Sequence, residues 1–395
     1  MGALIAVLGI ALSCARAPRE QVAGGRALDA TIAEVEAGRR TTPLIVQAPE
    51  GGDATVTFLV ESADGRVPRI VSDATGWGED TADDSFDLTA GTMTRVGSTD
   101  WYRLDAKVAV GARIEYLIVH GETDYRTDPH NPRQAELRGS GPVSEFVTPG
   151  FVPPDEFADP PVVPAGRTTE AAIESRALRG SRRVIVYLPP GYRDAAAYPL
   201  AVFHSGRDVV ERGEAPRVLD WLISHAEIEP VVGVFLESYR PGDVESHEGE
   251  PMRAFLSREV PAWVAWRCGV TTRPEERAIL AISYGAKDAL DAALAPARAY
   301  GRLGLLIPGR RLRRADLEAV ARQRDRRLRA VILAGRYDRA NLATARAARQ
   351  ALADAGHAVE YIEVPEGHNP ATWRNHLRDV LVSLFGRRDD RPRGP

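Results

Sequence analysis

The stretch AILAISYGAKDAL, from Ala278 to Leu290, has the pattern of an apolar strand, a serine and the start of a helix. Small residues lie two positions before and after Ser283, at Ala281 and Gly285. They allow a strand and a helix to meet at a sharp turn with the hydroxyl exposed, as in a nucleophile elbow. A serine that only caps a helix is the alternative interpretation of this pentapeptide alone.

On both sides of this stretch, apolar runs alternate with helix-like segments. This alternation predicts a mainly parallel sheet covered on both faces, in a domain of residues 171–386. Ligands of such sheets bind beyond the carboxyl ends of the strands, so chemistry is expected just after each run. The runs are 183–188, 200–204, 231–236, 278–283, 303–307, 330–335 and 359–364.

Two of these runs are followed by residues that complement a serine nucleophile. Asp338 follows the run that ends at Gly335, and His368 follows the run that ends at Val364. A serine hydroxyl needs a general base, and the base needs an acid to orient it. The chain order Ser283, Asp338, His368 is that of α/β-hydrolases, so these three are predicted to be catalytic.

Acyl transfer also needs donors for the developing oxyanion. One candidate is the amide of Tyr284, at the predicted helix start. The other comes from the loop after the run 200–204, where we favour the amide of Arg207 over that of Gly206. His204 lies within the apolar run, which favours a core or supporting role. Substrate binding is its alternative role. No metal or organic cofactor is required.

The part before the hydrolase-like region has a different pattern. Residues 26–38 have the apolar spacing of a short helix, and short β-rich runs separated by turns then extend to residue 150, which predicts a β-sandwich. Residues 151–170 are proline-rich and are predicted to be a linker, and residues 387–395 a disordered tail. The aromatic residues Trp77, Trp101 and Tyr102 fit a sandwich core or, alternatively, a ligand platform.

Composition limits the classes of function. The chain has 395 residues and a formal net charge of −4, which gives no global attraction to nucleic acid. Cys14 and Cys268 are its only cysteines, too few for a disulfide framework or a cysteine-ligated zinc site. The densest basic cluster, between Arg310 and Arg329, predicts a solvated helix face, with a cationic rim for an anionic substrate as the alternative.

The first 14 residues have the pattern of an export signal. An apolar run from Ala3 to Leu12 has the length of a signal-peptide core and precedes Cys14, as in a bacterial lipobox. The sequence therefore predicts an exported protein, periplasmic or membrane-anchored through lipid on Cys14, with no other membrane contact. Cys268 is then a lone thiol, predicted to be a small buried residue.

Two segments resemble a known family. The region from VIVYLPPGY, which starts at Val184, to Phe385 resembles the putative-esterase branch of α/β-hydrolases. The N-terminal region resembles the N-terminal domain of enterochelin esterases, in the motifs TPL, VTFL, MTRVGSTDW and DPHNP, which start at residues 42, 56, 93 and 128. The resemblance implies an early-set immunoglobulin-like sandwich before an α/β-hydrolase domain.

The resemblance also implies an activity. Enterochelin esterases hydrolyse the ester bonds of ferric enterobactin and related trilactone siderophores with a serine, a histidine and an acid, which here are Ser283, His368 and Asp338. Arg240 stands in the family's arginine-rich segment and is the corresponding substrate-binding candidate. The family's Asp-Gly after the oxyanion-loop strand is Ser205-Gly206 here.

The sequence-based hypothesis is an exported serine esterase that acts on a small-molecule ester. One alternative is a carbohydrate esterase that releases acetyl or feruloyl groups, with a sugar-binding β-domain. The other is a ligand-binding lipoprotein whose hydrolase domain is inactive. An intact triad argues against the last hypothesis. The sequence makes no prediction of the oligomeric state.

Overall fold

The computed structural model describes residues 25–48, 51–78, 87, 89–137, 141–157, 163–237 and 249–387. Cys14 and Arg240 lie outside the described residues, as do the predicted leader and all but the first residue of the predicted tail. Within these ranges, no helix has the length and apolar character needed to cross a membrane.

The N-terminal region consists of one helix and two antiparallel sheets. Helix α1 is Gly25–Glu36. One sheet has the order β1-β2-β5-β4, and the other has the order β3-β6-β9-β8 with β7 on β6. The strands are β1 (Leu44–Val46), β2 (Ala54–Glu61), β3 (Pro68–Ser72), β4 (Thr94–Arg95), β5 (Trp101–Val108), β6 (Arg113–His120), β7 (Asp124–Arg126), β8 (Gln134–Leu137) and β9 (Gly141–Val147).

The two sheets share one aromatic core. Phe58 on β2 meets Tyr116 on β6 and Phe146 on β9, with ring centroids 5.1 and 5.8 Å apart. Alternate residues of β2 and of β6 point into this core, as a period-2 pattern predicts. Two sheets packed around one core form a β-sandwich.

Two aromatic residues considered as a ligand platform belong to the interior. Trp101 and Tyr102 are each 3% exposed. Trp101 packs with the apolar face of α1, and its indole donates to Glu36. Strand β5 is continuous, because it pairs with β2 along its whole length.

The C-terminal region is built on a sheet with the order β10-β11-β13-β12-β14-β15-β16-β17. Strands β10 and β11 are antiparallel, and the strands from β13 onward along the sheet are parallel. The strands are β10 (Arg167–Ser175), β11 (Gly180–Leu188), β12 (Leu200–His204), β13 (Val232–Leu236), β14 (Arg277–Ile282), β15 (Arg302–Leu306), β16 (Arg329–Gly335) and β17 (Ala358–Val364).

Helices cover both faces of this sheet, so two separate apolar clusters form, one on each side. Strands such as β12 and β13 are buried throughout and carry uninterrupted apolar runs. The helices are α2 (Gly206–Glu211), α3 (Ala215–Ser224), α4 (Glu250–Ala254), α5 (Val260–Arg267), α6 (Ala286–Leu294), α7 (Arg314–Arg322), α8 (Arg339–Asp354), α9 (Pro370–Asn375) and α10 (Leu377–Phe385).

The linker is shorter than the predicted range of residues 151–170, because strand β10 already begins at Arg167. β10 lies at the edge of the sheet, and its first four residues are exposed and polar. It therefore lacks the apolar alternation by which a half-buried strand is predicted from sequence. Glu156 in this segment is fully buried, and its carbonyl oxygen accepts a hydrogen bond from Arg217 on α3, which anchors the segment to the hydrolase region.

Candidate active site

Ser283 occupies a strained turn between β14 and α6. Its φ of 46° lies in the left-handed region, which a non-glycine residue adopts rarely and mostly where the surrounding structure imposes it. A Cβ on Gly285 would lie 3.0 Å from the His204 ring and 3.3 Å from the Ala281 Cβ, so only small residues fit here. The half-buried hydroxyl is thereby presented at the carboxyl edge of the sheet, as the opening stretch predicts.

The structure brings the three predicted catalytic side chains together. Ser283 Oγ lies 2.8 Å from His368 Nε2, and His368 Nδ1 lies 2.7 Å from Asp338 Oδ2. Asp338 is 5% exposed, and its other oxygen accepts a hydrogen bond from Asn341 Nδ2 at 2.7 Å. The carboxylate therefore has one oxygen directed at the imidazole and the other fixed by α8.

The loops that carry the acid and the base are joined by backbone contacts. The amide of Tyr337 donates to the carbonyl oxygen of Glu366 at 2.9 Å. A Cβ on Gly335 would lie 2.6 Å from the carbonyl oxygens of Glu366 and Gly367, so glycine is required for this approach. The close packing of the ends of β16 and β17 sets the distance between Asp338 and His368.

The three predicted oxyanion residues lie at two helix starts. Tyr284 follows Ser283, and the residue is 42% exposed. Gly206 and Arg207 begin α2 after Ser205, whose φ is 91°. A Cβ on Gly206 would overlap the Phe235 backbone. First-turn amides of a helix have no partner within the helix, so these positions suit an anion.

His204 is not a surface group. Its side chain is 3% exposed, and its Nε2 lies 3.4 Å from the buried carboxylate of Asp288 on α6. The predicted substrate-binding role therefore does not fit its position, because a ring packed against Asp288 supports the end of β12. Arg240, the other substrate-binding candidate, is outside the described residues.

Arg311 also lies at the site, although it is not among the candidates predicted from the sequence. Its guanidinium donates to Asp288 at 2.5 Å and lies 4.7 Å from the centre of the Tyr284 ring. Burial works to raise the pKa of Asp288, but the contacts with His204 and Arg311 outweigh it and lower that pKa. Arg311 lies in the arginine-rich segment predicted to be solvated, and no local pattern separated this buried arginine from its exposed neighbours.

The described residues hold no group of three or more His, Cys, Asp or Glu side chains suited to a metal ion. Cys268 is a free thiol with 8% exposure, as predicted for a small buried residue.

His376 contacts the carboxylates of Glu366 and Asp379, and these contacts make the stability of the fold pH-dependent. Burial works to lower the pKa of His376, but hydrogen bonds to Asp379 and Glu366 outweigh it and raise the pKa to about 9. A raised histidine pKa stabilises the fold fully below pH 6.5, and this stabilisation is lost as the pH rises through 9. We expect His376→Gln to remove about 2–3 kcal/mol of this pH dependence.

The measurement is the free energy of unfolding by urea at pH 6 and pH 10, for the wild type and His376→Gln. The exposed His225 at the end of α3 gives a matched control, His225→Gln, which should keep the wild-type difference between the two pH values. An equal difference in all three proteins would contradict the assignment.

Comparisons with known proteins find similarity in both regions of the chain. A family model described as putative esterase matches residues 175–384. The ferric enterobactin esterase from Salmonella typhimurium is similar in structure, with a TM-score of 0.71, 19% identity, and coverage of 89% of this chain and 98% of that one. No curated protein matches the chain.

Two further solved structures are similar. The enterobactin esterase from Shigella flexneri has a TM-score of 0.66 at 20% identity and covers 87% of this chain and 96% of that one. A ferulic acid esterase from the anaerobic fungus Anaeromyces mucronatus has a TM-score of 0.50 at 14% identity and covers 59% of this chain and 96% of that one. At these identities the likeness shows the fold. With the family match over more than half of the chain, it follows that the chain belongs to the putative esterase family and is a carboxylic ester hydrolase.

Proposed function

We propose that the protein is a serine esterase that acts through Ser283, His368 and Asp338. The observation that carries the proposal is the unbroken series of contacts from Ser283 Oγ to His368 Nε2 at 2.8 Å, and from His368 Nδ1 to Asp338 Oδ2 at 2.7 Å. These distances are those of a nucleophile, its base and the acid that orients the base. They argue against an inactive hydrolase domain, which would have no need of this alignment.

In the proposed mechanism, Ser283 Oγ attacks the ester carbonyl carbon while His368 Nε2 accepts the hydroxyl proton. The amides of Tyr284 and Arg207, or of Gly206, stabilise the oxyanion. Collapse of the tetrahedral intermediate breaks the bond to the leaving alkoxide oxygen, which takes the proton from His368 and departs as the alcohol. A water molecule then attacks the acyl-enzyme with His368 again as the base, which releases the acid and restores Ser283. Asp338 stabilises the imidazolium in both halves of the cycle.

The substrate class we propose is an enterobactin-like ferric siderophore ester. The support is the extent of the structural likeness: the solved enterobactin esterases match the sandwich and the hydrolase region together, whereas the ferulic acid esterase covers 59% of the chain. The immunoglobulin-like assignment of the sandwich is part of the same proposal. A glycan-binding platform is disfavoured because Trp101 and Tyr102 are buried.

Export, and a lipid anchor on Cys14, complete the proposal. They rest on the apolar run Ala3–Leu12 and the cysteine that follows it. Incorporation of labelled palmitate by cells that express the wild type, and its loss in Cys14→Ala, is the expected result. Equal labelling of the two proteins would exclude an anchor at this position.

The activity is tested by labelling the full chain with a fluorophosphonate and by measuring hydrolysis of a p-nitrophenyl ester. We expect one label, which peptide mass spectrometry places on Ser283, and release of p-nitrophenol. Hydrolysis of ferric enterobactin but not of a feruloylated sugar would support the siderophore substrate. The opposite preference would support the carbohydrate esterase, and no label would overturn the serine mechanism.

A further inference from the structure

The loop that carries Asp338 is held by the β-sandwich on both sides of the acid. The amide of Ala109 donates to the Tyr337 hydroxyl at 2.7 Å. On the other side, the Arg339 guanidinium donates to the carbonyl oxygen of Ala74 at 2.5 Å. The two chain neighbours of Asp338 are therefore both bonded to residues of the N-terminal region.

The loop that carries His368 is held in the same way, and by one residue. Asp73 Oδ2 accepts a hydrogen bond from Asn369 Nδ2 at 3.1 Å. On the other side of the histidine, a Cβ on Gly367 would overlap the Asp73 carboxyl group, which packs directly on that backbone. Asp73 thus contacts the residue before and the residue after His368.

The Asp73 carboxylate is held in place by burial and by hydrogen bonds within the N-terminal region. Its side chain is fully buried, Oδ1 accepts from the Trp77 indole at 2.9 Å, and Oδ2 accepts from the Glu115 amide at 2.8 Å. Burial raises its pKa to about 6, with the hydrogen bonds from Glu115 and Trp77 acting in the opposite direction. At pH 8 the group is therefore a carboxylate.

The amide of Asn369 is also fixed in its orientation. Its Oδ1 caps α9 by accepting from the Thr372 amide at 3.1 Å, and it accepts from the Arg113 guanidinium at 3.3 Å. Its Nδ2 must then point toward Asp73. The sandwich therefore supplies both a donor and an acceptor to the residue that follows the catalytic base.

We propose that Asp73 of the β-sandwich is a positioning residue for His368, so that the N-terminal region completes the hydrolase site. This inference rests on the proposed function. Asp73 does not touch the reacting atoms, and it acts by fixing the backbone on both sides of the imidazole. Misplacement of a catalytic group by about 1 Å can lower the rate about 100-fold, which sets the scale of the expected effect.

The test variant is Asp73→Asn, assayed at pH 8 with a p-nitrophenyl ester. Asparagine keeps the size of the side chain but turns one acceptor into a donor that faces the N–H groups of Trp77, or those of Glu115 and Asn369. We expect kcat to fall about 10- to 100-fold with KM within about twofold of the wild type, because the substrate-contacting surface is unchanged.

A matched control separates positioning from stability. Asp128 is 2% exposed in the same sandwich and accepts hydrogen bonds from Thr42 and Tyr116, and none of its hydrogen bonds to described residues reaches the hydrolase region. Asp128→Asn should lower the unfolding temperature comparably while kcat stays within about twofold at a temperature where the protein is folded. Equal losses of kcat in the two variants, or no loss in Asp73→Asn, would overturn the proposal.

A second variant serves if Asp73→Asn does not fold. Asn369→Ser removes the donor to Asp73, while the serine hydroxyl retains the cap of α9, since serine is a favoured N-cap residue. We expect the same fall in kcat with KM unchanged. A kcat within about twofold of the wild type in this variant would count against the positioning role.

Proton NMR separates this inference from the proposed function. The proton between His368 Nδ1 and Asp338 Oδ2 should give a low-field signal that His368→Gln removes, whether or not the protein hydrolyses the ester. Asp73→Asn should shift or broaden this signal, and Asp128→Asn should leave it in place. If the wild type is inactive, the proposed function fails, and the signal alone decides: an unaltered signal in Asp73→Asn overturns the inference.

Discussion

Ser283→Ala is expected to lower kcat for ester hydrolysis by about 10⁴-fold or more, which is the scale found when a triad serine is removed. The hydroxyl is the only atom group lost, and its Oγ forms the 2.8 Å contact with His368. Without it the acyl-enzyme cannot form, and only the oxyanion donors and substrate binding remain to assist water. The measurement is kcat and KM with a p-nitrophenyl ester, beside fluorophosphonate labelling.

The control for this variant is Ser224→Ala at the end of α3, where the exposed hydroxyl bonds to the Trp221 carbonyl oxygen and to the neighbouring His225. It should retain wild-type kcat and the label. The strained φ of Ser283 gives a second signature, because alanine in the same left-handed position relieves nothing and the unfolding temperature should change little. Residual activity in Ser283→Ala equal to the wild type would exclude Ser283 as the nucleophile.

Asp338→Asn is expected to lower kcat by about 10³- to 10⁴-fold, the scale known for the equivalent change in a serine protease triad. Asp338 Oδ2 accepts a hydrogen bond from His368 Nδ1, and Oδ1 accepts one from Asn341. An asparagine that keeps its oxygen toward Asn341 turns an NH₂ group toward the imidazole. That arrangement favours the tautomer in which Nε2 carries the proton and cannot accept one from Ser283.

The pH profile of kcat/KM shows whether this explanation is right. Loss of the carboxylate removes the stabilisation of the imidazolium, so part of the activity should return at high pH, where hydroxide assists the attack. Asp354→Asn, at the other end of α8, keeps the length of the helix and changes an exposed carboxylate that accepts a hydrogen bond from Gln350. Asp354→Asn should keep the wild-type pH profile of kcat/KM. A parallel loss in both variants would indicate damage to the helix and not to the triad.

The hydrolase region could be predicted closely from the sequence. Buried parallel strands carry continuous apolar runs, so the predicted run 200–204 coincides with β12, and the other runs differ from their strands by a few residues. The edge strand β10 was missed because both of its faces are largely exposed. The leader and Arg240 remain predictions, since they lie outside the described residues.

The meeting of the three candidate side chains could be predicted from the sequence, whereas the residues that support them could not. Ser283, Asp338 and His368 each follow a strand, and parallel strands end at one edge of a sheet, so their meeting follows from local pattern. Arg311 and Asp73 gave no such signal. Arg311 is one arginine among many in its segment, and Asp73 lies in the other region of the chain, close to the histidine loop only after the two regions pack together.

The sequence by itself therefore determined the alternation of strand and helix, the strained serine turn and the order of the catalytic groups, because each depends on residues near one another in the chain. The tertiary structure alone decided which buried charges hold those groups in place. His204 lies in the interior, which fits the supporting role favoured from its apolar run and not the substrate-binding one, and Asp73 lies against both neighbours of His368. Contacts between residues nearly 300 positions apart leave no periodicity in a sequence, and only packing creates them.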